Sequence, residues 1–285
     1  MRFVTFYSDS GPRLGVWRAE VIVPISGLDM LGLIEAGDTQ LEKLRAVQGY
    51  EIPFASARLL APLPAPRRNI FCVGMNYAAH AAESMLAKGV LVKMPTAPVV
   101  FTKATTAINA PTGDIPFDAS VSTQIDWEAE LAVVIGRGGK NIHRDEAMRH
   151  VFGYTVINDI SARDIQNGPG GQYFKGKSLD GACPMGPGIV TADEIPDPHA
   201  LTVRCRVNGE LKQESTTADF IFTIPVLIEW LSKGMTLLPG DVIATGTPSG
   251  VGFARTPPEF LKPGDVVEAE VEGVGALRNR VVAVG

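Results

Sequence analysis

Asp126-Trp127-Glu128-Ala129-Glu130-Leu131-Ala132-Val133-Val134-Ile135 is the stretch whose reading decides the fold. Side chains alternate across a strand. Glu128 and Glu130 therefore share one face with Ala132 and Val134, while Trp127, Ala129, Leu131 and Val133 share the other. Apart from the two glutamates both faces are apolar, which predicts a strand buried on both sides. Two carboxylates side by side in such a place repel, and each loses its water. An unpaired buried charge costs several kcal/mol. Something positive must lie between them: arginine or lysine partners, shared protons, or a metal ion. Tyr154-Thr155-Val156-Ile157-Asn158-Asp159 is a second apolar strand, and it too ends in a carboxylate. Three carboxylates offered by strand ends suit a hard cation, Mg2+ or Mn2+, with positions open to substrate. Periodicity alone leans to the alternative, a solvated strand edge where both glutamates pair with arginines.

Upstream, Cys72-Val73-Gly74-Met75-Asn76-Tyr77-Ala78-Ala79-His80-Ala81-Ala82-Glu83 runs from a strand through a glycine turn into a helix over 77–87. His80 and Glu83, three residues apart, meet on one helical face. A carboxylate beside an imidazole orients the ring and raises its basicity, as a general base requires. An ordinary surface pair at a helix start is the alternative, and taken alone this segment favours it. His143, His150 and His199 stand among charged or turn residues and read as surface. Residues 1–27 read as short strands, 28–47 as a helix broken near Gly37-Asp38, and 61–66 (Ala-Pro-Leu-Pro-Ala-Pro) as an extended linker. That places a domain boundary at residue 66: a small N-terminal β-rich domain over 1–66 and a larger domain over 67–285. In the larger domain the pattern predicts strands over 69–73 and 125–135, loops and short strands over 94–117, and a helix over 145–152. It further predicts a hairpin around Asn208-Gly209 and a helix over 220–232. Strand and helix do not alternate regularly, so the class is α+β and β-rich rather than a Rossmann sheet or TIM barrel.

The chain has 285 residues, 45% apolar and 20% charged, with a net charge of −5. It is long enough to bury a core without disulfides. No apolar run reaches membrane-spanning length and no basic cluster offers a nucleic-acid face. Cys72, Cys183 and Cys205 are odd in number and far apart, so they read as buried apolar residues rather than a disulfide framework or zinc site. The start lacks an apolar signal core, which makes the cytoplasm the default expectation. Gly171-Gln172-Tyr173-Phe174-Lys175-Gly176-Lys177-Ser178 matches the phosphate-loop pattern letter for letter. Such a loop needs a strand before and a helix after. The following Leu179–Gly188 carries two prolines and three glycines and cannot form that helix, so nucleotide binding is rejected. Thr245-Gly246-Thr247-Pro248-Ser249-Gly250-Val251-Gly252 is a second glycine-rich loop, whose amides and hydroxyls can grip a carboxylate or simply turn the chain.

Taken in order, five motifs resemble the fumarylacetoacetate hydrolase family. They are Gly74-x-Asn76-Tyr77-x-x-His80-x-x-Glu83, Glu128-x-Glu130-Leu131, Asn158-Asp159-x-Ser161-Ala162-Arg163-Asp164-x-Gln166, Gly176-Lys177-Ser178 and Gly246-Thr247-Pro248-x-Gly250-Val251-Gly252. The likeness covers about residues 67–285, and the first 60-odd residues resemble the small domain that precedes it in many members. The resemblance implies a mixed β-sandwich roll and a site in which Glu128, Glu130 and Asp159 hold Mg2+ or Mn2+ (Ca2+ in crystals). His80 with Glu83 would activate water from a mobile short helix, and Lys177 would bind a substrate oxygen. Arg163, Gln166 and Tyr77 would line the substrate pocket, and Thr247 would meet the substrate carboxylate. Homodimers are usual in such proteins. Asn76 stands where the larger, eponymous members carry a fourth acidic ligand, which points to the smaller members. The leading expectation is therefore a metal-dependent hydrolase that cleaves a 2,4-dioxo acid of the acylpyruvate or fumarylpyruvate type to pyruvate and a carboxylic acid. Oxaloacetate decarboxylation or tautomerisation, or isomerisation of a hydroxy-dienedioate, is the alternative on the same scaffold.

Overall fold

The computed structural model describes residues 1–284. A twelve-stranded sheet runs in the order Ile52–Pro53, Val21–Pro24, Gly11–Arg18, Arg2–Ser8, Cys183–Thr191, Val151–Asn158, Ala129–Ile135, Val242–Ala244, Ile70–Gly74 and Val99–Lys103. Leu59–Leu60 and Ile108–Asn109 pair alongside it. A five-stranded sheet (Glu210–Thr216, Thr202–Val207, Val266–Val271, Gly275–Ala283, Ile115–Phe117) packs face to face on its centre. The helices are α1 (Met30–Arg45), α2 (Ala78–Ala87), α3 (Arg144–Ala147), α4 (Arg163–Gln166), α5 (Tyr173–Lys177) and α6 (Ile224–Ser232). The mixed, strand-rich α+β class is as expected. Among the described residues no helix is long and apolar enough to cross a membrane.

Strand Ala129–Ile135 lies in the middle of this sandwich and is buried at every position. Ala129, Leu131 and Val133 join a core with Val203, Val267 and Leu277 of the smaller sheet. Ala132 and Val134 face a second core with Phe3, Leu14, Leu33 and Ile34. The alternation read from the sequence is thus the one observed. Leu131, Val133 and Val134 each contribute about 1.5–3 kcal/mol on burial, with the two alanines letting neighbours pack close, so the strand is held from both faces. The first 66 residues share in this: Phe3 pairs with Ile189 in the same sheet, and α1 supplies buried Met30, Leu33 and Ile34. Asp29 caps α1 by accepting from the Gly32 amide at 2.7 Å, and the helix breaks at Gly37, as expected.

Several elements differ from expectation, each for a local reason. The strand predicted over 125–135 is interrupted at Trp127-Glu128. There the Trp127 and Glu128 amides donate to side chains, Asp126 Oδ1 and Asn158 Oδ1, instead of a ladder. The helix predicted over 145–152 shrinks to one turn, α3, and a 3-10 turn, because Val151 and Phe152 join the sheet. The helix predicted over 220–232 begins only at Ile224, with Pro225 in its first turn where a missing N–H costs nothing. Cys183–Thr191, a glycine- and proline-rich stretch, is a fully buried nine-residue strand. Its ladder to Val151–Asn158 slips register between Tyr154 and Val156, and such a slip is where a central strand accommodates proline. As this is a strand, no helix follows Ser178, and the phosphate-loop reading fails on structure as it did on sequence.

Candidate active site and metal centre

The antiparallel register sets Ala129 opposite Asn158 and Glu130 opposite Ile157. One step outward, the Asp159 amide donates to Glu128 O at 2.8 Å, so Asp159 faces Glu128 directly. Side-chain period then puts Glu128, Glu130 and Asp159 on one face. An oxygen from each lies within 4.8 Å of the others, and all three residues are buried. Two oxygens each about 2.4 Å from one ion are at most about 4.8 Å apart, so the cluster meets the geometric condition for a shared Mg2+, Mn2+ or Ca2+. All-oxygen donors match a hard cation.

Protein cations already occupy part of this cluster. Arg163 Nη2 donates to Glu128 Oε1 at 2.7 Å, and Lys177 Nζ donates to Glu128 Oε2 at 2.7 Å and Asp159 Oδ2 at 2.9 Å. Lys103 Nζ, fully buried, donates to Asp159 Oδ1 at 2.7 Å. Arg163 Nε also pairs with buried Asp126 at 2.8 Å. Four carboxylates thus face three cations, and Glu130 is the one without a cationic partner among the described residues. It accepts only the Gly246 amide, at 2.8 Å. Burial first, then the charges of Asp159 and Glu128, push its carboxyl well above the usual range. Glu128 behaves oppositely. Burial would raise it, but Lys177 and Arg163 outweigh burial and hold it down to about 2. Lys177 likewise stays an ammonium: burial opposes its charge, yet Asp159 and Glu128 raise it above its ordinary value. An excess carboxylate that burial disfavours as an anion is the signature of a place for one more cation, so the residues fit a divalent ion.

His80 lines the same cavity as this cluster from α2, with Glu83 behind it. His80 Nδ1 meets Glu83 Oε1 at 2.9 Å, and Nε2 has no hydrogen-bond partner among the described residues; a neutral ring donating from Nδ1 to that carboxylate would present Nε2 as a base. Glu83 is fixed in turn by the Gly250 amide at 2.9 and 3.0 Å. Gly250 has φ +104°, and an added Cβ would lie 2.1 Å from Lys212 O, so only glycine presents that amide. The same holds at Gly246 (φ +100°), whose Cβ would meet Asn76 at 2.9 Å. The second glycine-rich loop is therefore a brace: one amide holds Glu130 and another holds Glu83.

One cavity is lined by His80, Glu128, Glu130, Arg163, Gln166, Lys177 and Thr247, with Ser84, Lys88, Phe101, Tyr173 and Phe253. Asp159 lies beneath it, reached through Lys177. Other expected roles are redistributed. Tyr77 is buried against Phe220, at 5.0 Å between rings, and is not among the lining residues. Arg163 already donates to Asp126, Glu128 and Gln166. The Thr247 hydroxyl donates to Ala129 O and accepts from Gln213. The Gln166 side chain lines the cavity, with its Oε1 accepting from Arg163 and its amide nitrogen without a hydrogen-bond partner among the described residues. Asn76 is a strut: its side chain bonds Phe222 O, Thr245 O and the Phe222 amide at 2.8–3.1 Å. It offers no ligand, which leaves the three-carboxylate set. Lys103, Asp126 and Lys88 carry no motif that marks them in the sequence. A lysine ending the short run Val99–Lys103 is the sole hint of the first.

The family described as "Fumarylacetoacetate (FAA) hydrolase C-terminal" matches residues 69–282. Oxaloacetate tautomerase YisK of Bacillus subtilis is 48% identical over 227 residues, 80% of this chain and 74% of that protein. Mitochondrial oxaloacetate tautomerase fahd2 of Xenopus laevis is 43% identical over 296 residues, 99% of this chain and 90% of that protein. Maleylpyruvate hydrolase from Sphingobium sp. SYK-6, solved with manganese (II) and pyruvate, superposes with a TM-score of 0.83 at 31% identity, covering 100% of both chains. The relatives' names correct the expectation of C–C hydrolysis and favour its alternative. The reason is chemical: a metal, a base and an ammonium around a 2-oxo acid serve either reaction, so the motifs do not discriminate between them.

Proposed function

The chain belongs to the fumarylacetoacetate hydrolase family, and from that we propose that it is a divalent-metal-dependent tautomerase interconverting the enol and keto forms of oxaloacetate or a close 2-oxo dicarboxylic acid. The carrying observation is that the His80 imidazole and the Lys177 ammonium line one cavity together with Glu128 and Glu130, with Asp159 beneath it completing the three-acid cluster. Glu128, Glu130 and Asp159 would hold Mg2+ or Mn2+. The all-oxygen donor set and the manganese in the Sphingobium hydrolase support that choice. When bound, the cation supplies Lewis-acid polarisation of the 2-oxo oxygen. His80 Nε2 takes a proton from C3 of the keto form and returns it in the reverse direction, while Glu83 keeps the ring in register. Lys177 and the Gln166 amide would donate hydrogen bonds to the oxygen at C2 as charge develops there; Lys177 would give that oxygen its proton, and solvent would reprotonate Lys177 and take the proton held by His80 before the next turnover in the same direction. No water is consumed and no carbon–carbon bond breaks. We further propose a homodimer, to be checked by light scattering.

The test follows enol-oxaloacetate by its absorbance with Mg2+ or Mn2+ present. Ketonisation should exceed the uncatalysed rate, stop on chelation, and fall about 10²–10⁴-fold in His80→Ala. Absence of acceleration under every metal condition sinks the reading.

A further inference from the structure

Cations around the cavity divide into two kinds. Arg163 and Lys177 are paired with the buried acids. Lys88 also lines the cavity but is exposed, and it has no carboxylate partner among the described residues. Its ammonium is placed nonetheless, 5.9 Å from the Tyr173 ring and 5.9 Å from the Phe253 ring. Phe253 carries Arg163 at 4.5 Å as well, so this ring lies between an inner and the outer cation. Lys88 follows directly on α2, and His80, Ser84 and Lys88 repeat every four residues along one stripe that lines the cavity. Eight residues of helix span about 12 Å, and side chains lean back toward the N-terminus. The lysine therefore reaches toward the base from the outer end of the cavity.

We propose that Lys88 is a specificity-determining residue that binds the distal carboxylate of a dicarboxylic substrate. This rests on the 2-oxo acid reading and deepens it. With the C1 end directed to the three acids, the second carboxylate of a diacid lies outward, where Lys88 is the cavity cation not already neutralised. A monocarboxylic 2-oxo acid leaves Lys88 without a partner and gains nothing from it.

Two measurements test this. Calorimetry with malate and lactate, unreactive analogues with and without the distal carboxylate, is run on the Mg2+-loaded and the metal-free protein. The wild type should prefer malate about tenfold. Lys88→Met should erase the preference and Lys88→Arg should keep it. Kinetics with oxaloacetate and its 4-methyl ester should show KM for the diacid rising about tenfold in Lys88→Met, with a smaller change in kcat. A malate preference intact in Lys88→Met, or equal losses for diacid and ester, overturns the assignment. A Lys88-dependent malate preference in a protein that does not tautomerise oxaloacetate upholds it and removes the tautomerase reading instead.

Discussion

At the residue scale, the central question is what holds three buried acids together. Lys177 bridges Glu128 and Asp159 at 2.7 and 2.9 Å. Removing one partner of a buried pair costs about 3–5 kcal/mol. Lys177→Met should therefore lower the urea midpoint strongly in chelator, and added Mg2+ should restore more stability to the variant than to the wild type. Equal gains in both proteins would refute the idea that lysine and ion compensate the same charge. Asn76 allows a second test. Its amide nitrogen donates to Phe222 O and Thr245 O, which an aspartate cannot do. Asn76→Asp should cost about 1–3 kcal/mol in urea unfolding without tightening Mn2+ in titration calorimetry. Much at this scale is legible in the sequence, because alternation puts Glu128 and Glu130 on one face and the i, i+3 spacing joins His80 to Glu83. Lys103 and Asp126 are not legible, since strand period tells which face a side chain takes and not what waits there. Arg163 shows the same limit: its motif places it at the site, but its acceptors are Asp126 and Glu128, 37 and 35 residues back along the chain, and Gln166 on its own helix.

At the element scale, the 245–252 loop ties α2 to the acid-bearing strand. Gly250→Ala forces a side chain into left-handed backbone and against Lys212 O. It should cost at least about 1–3 kcal/mol and lower kcat more than KM rises, because Glu83 loses its amide anchor. Normal kcat in a folded variant would remove the loop from the catalytic account. Helix α6 carries a pH dependence. His199 Nε2 accepts the Ile224 amide at 3.1 Å, so the ring must be neutral there, and burial lowers its pKa below the ordinary histidine value of 6.5. The unfolded chain then binds the proton more readily. Stability is complete above pH 6.5 and is lost as pH falls below 6.5 toward the folded value. Urea midpoints at pH 8 and pH 5.5 should differ more in the wild type than in His199→Asn. Element boundaries read poorly where side chains replace the ladder, as at Trp127-Glu128. The strand Cys183–Thr191 is invisible to propensity because two buried neighbours, and not its own glycines and prolines, make it a strand.

At the scale of the whole molecule, sheet order decides what the chain needs in order to fold. The strands of residues 2–24 continue the same sheet as the acid-bearing strand, and Phe3, Leu14, Leu33 and Ile34 seal one of its faces. Expression of residues 67–285 alone should give an insoluble chain or one without a cooperative thermal transition; a sharp transition near that of the full chain would show the first 66 residues to be dispensable. The linker prolines suggest a boundary in the sequence, whereas the pairing of Phe3 with Ile189 is a long-range contact that local pattern does not register. The lysine bridge across the acids carries a consequence for the life of the protein in a cell. A zinc finger has no fold until its ion arrives, but here a tethered ammonium already stands in the gap. Under the proposed function, the fold would therefore stand before the ion arrives, and ion supply would set activity without setting whether the chain is folded.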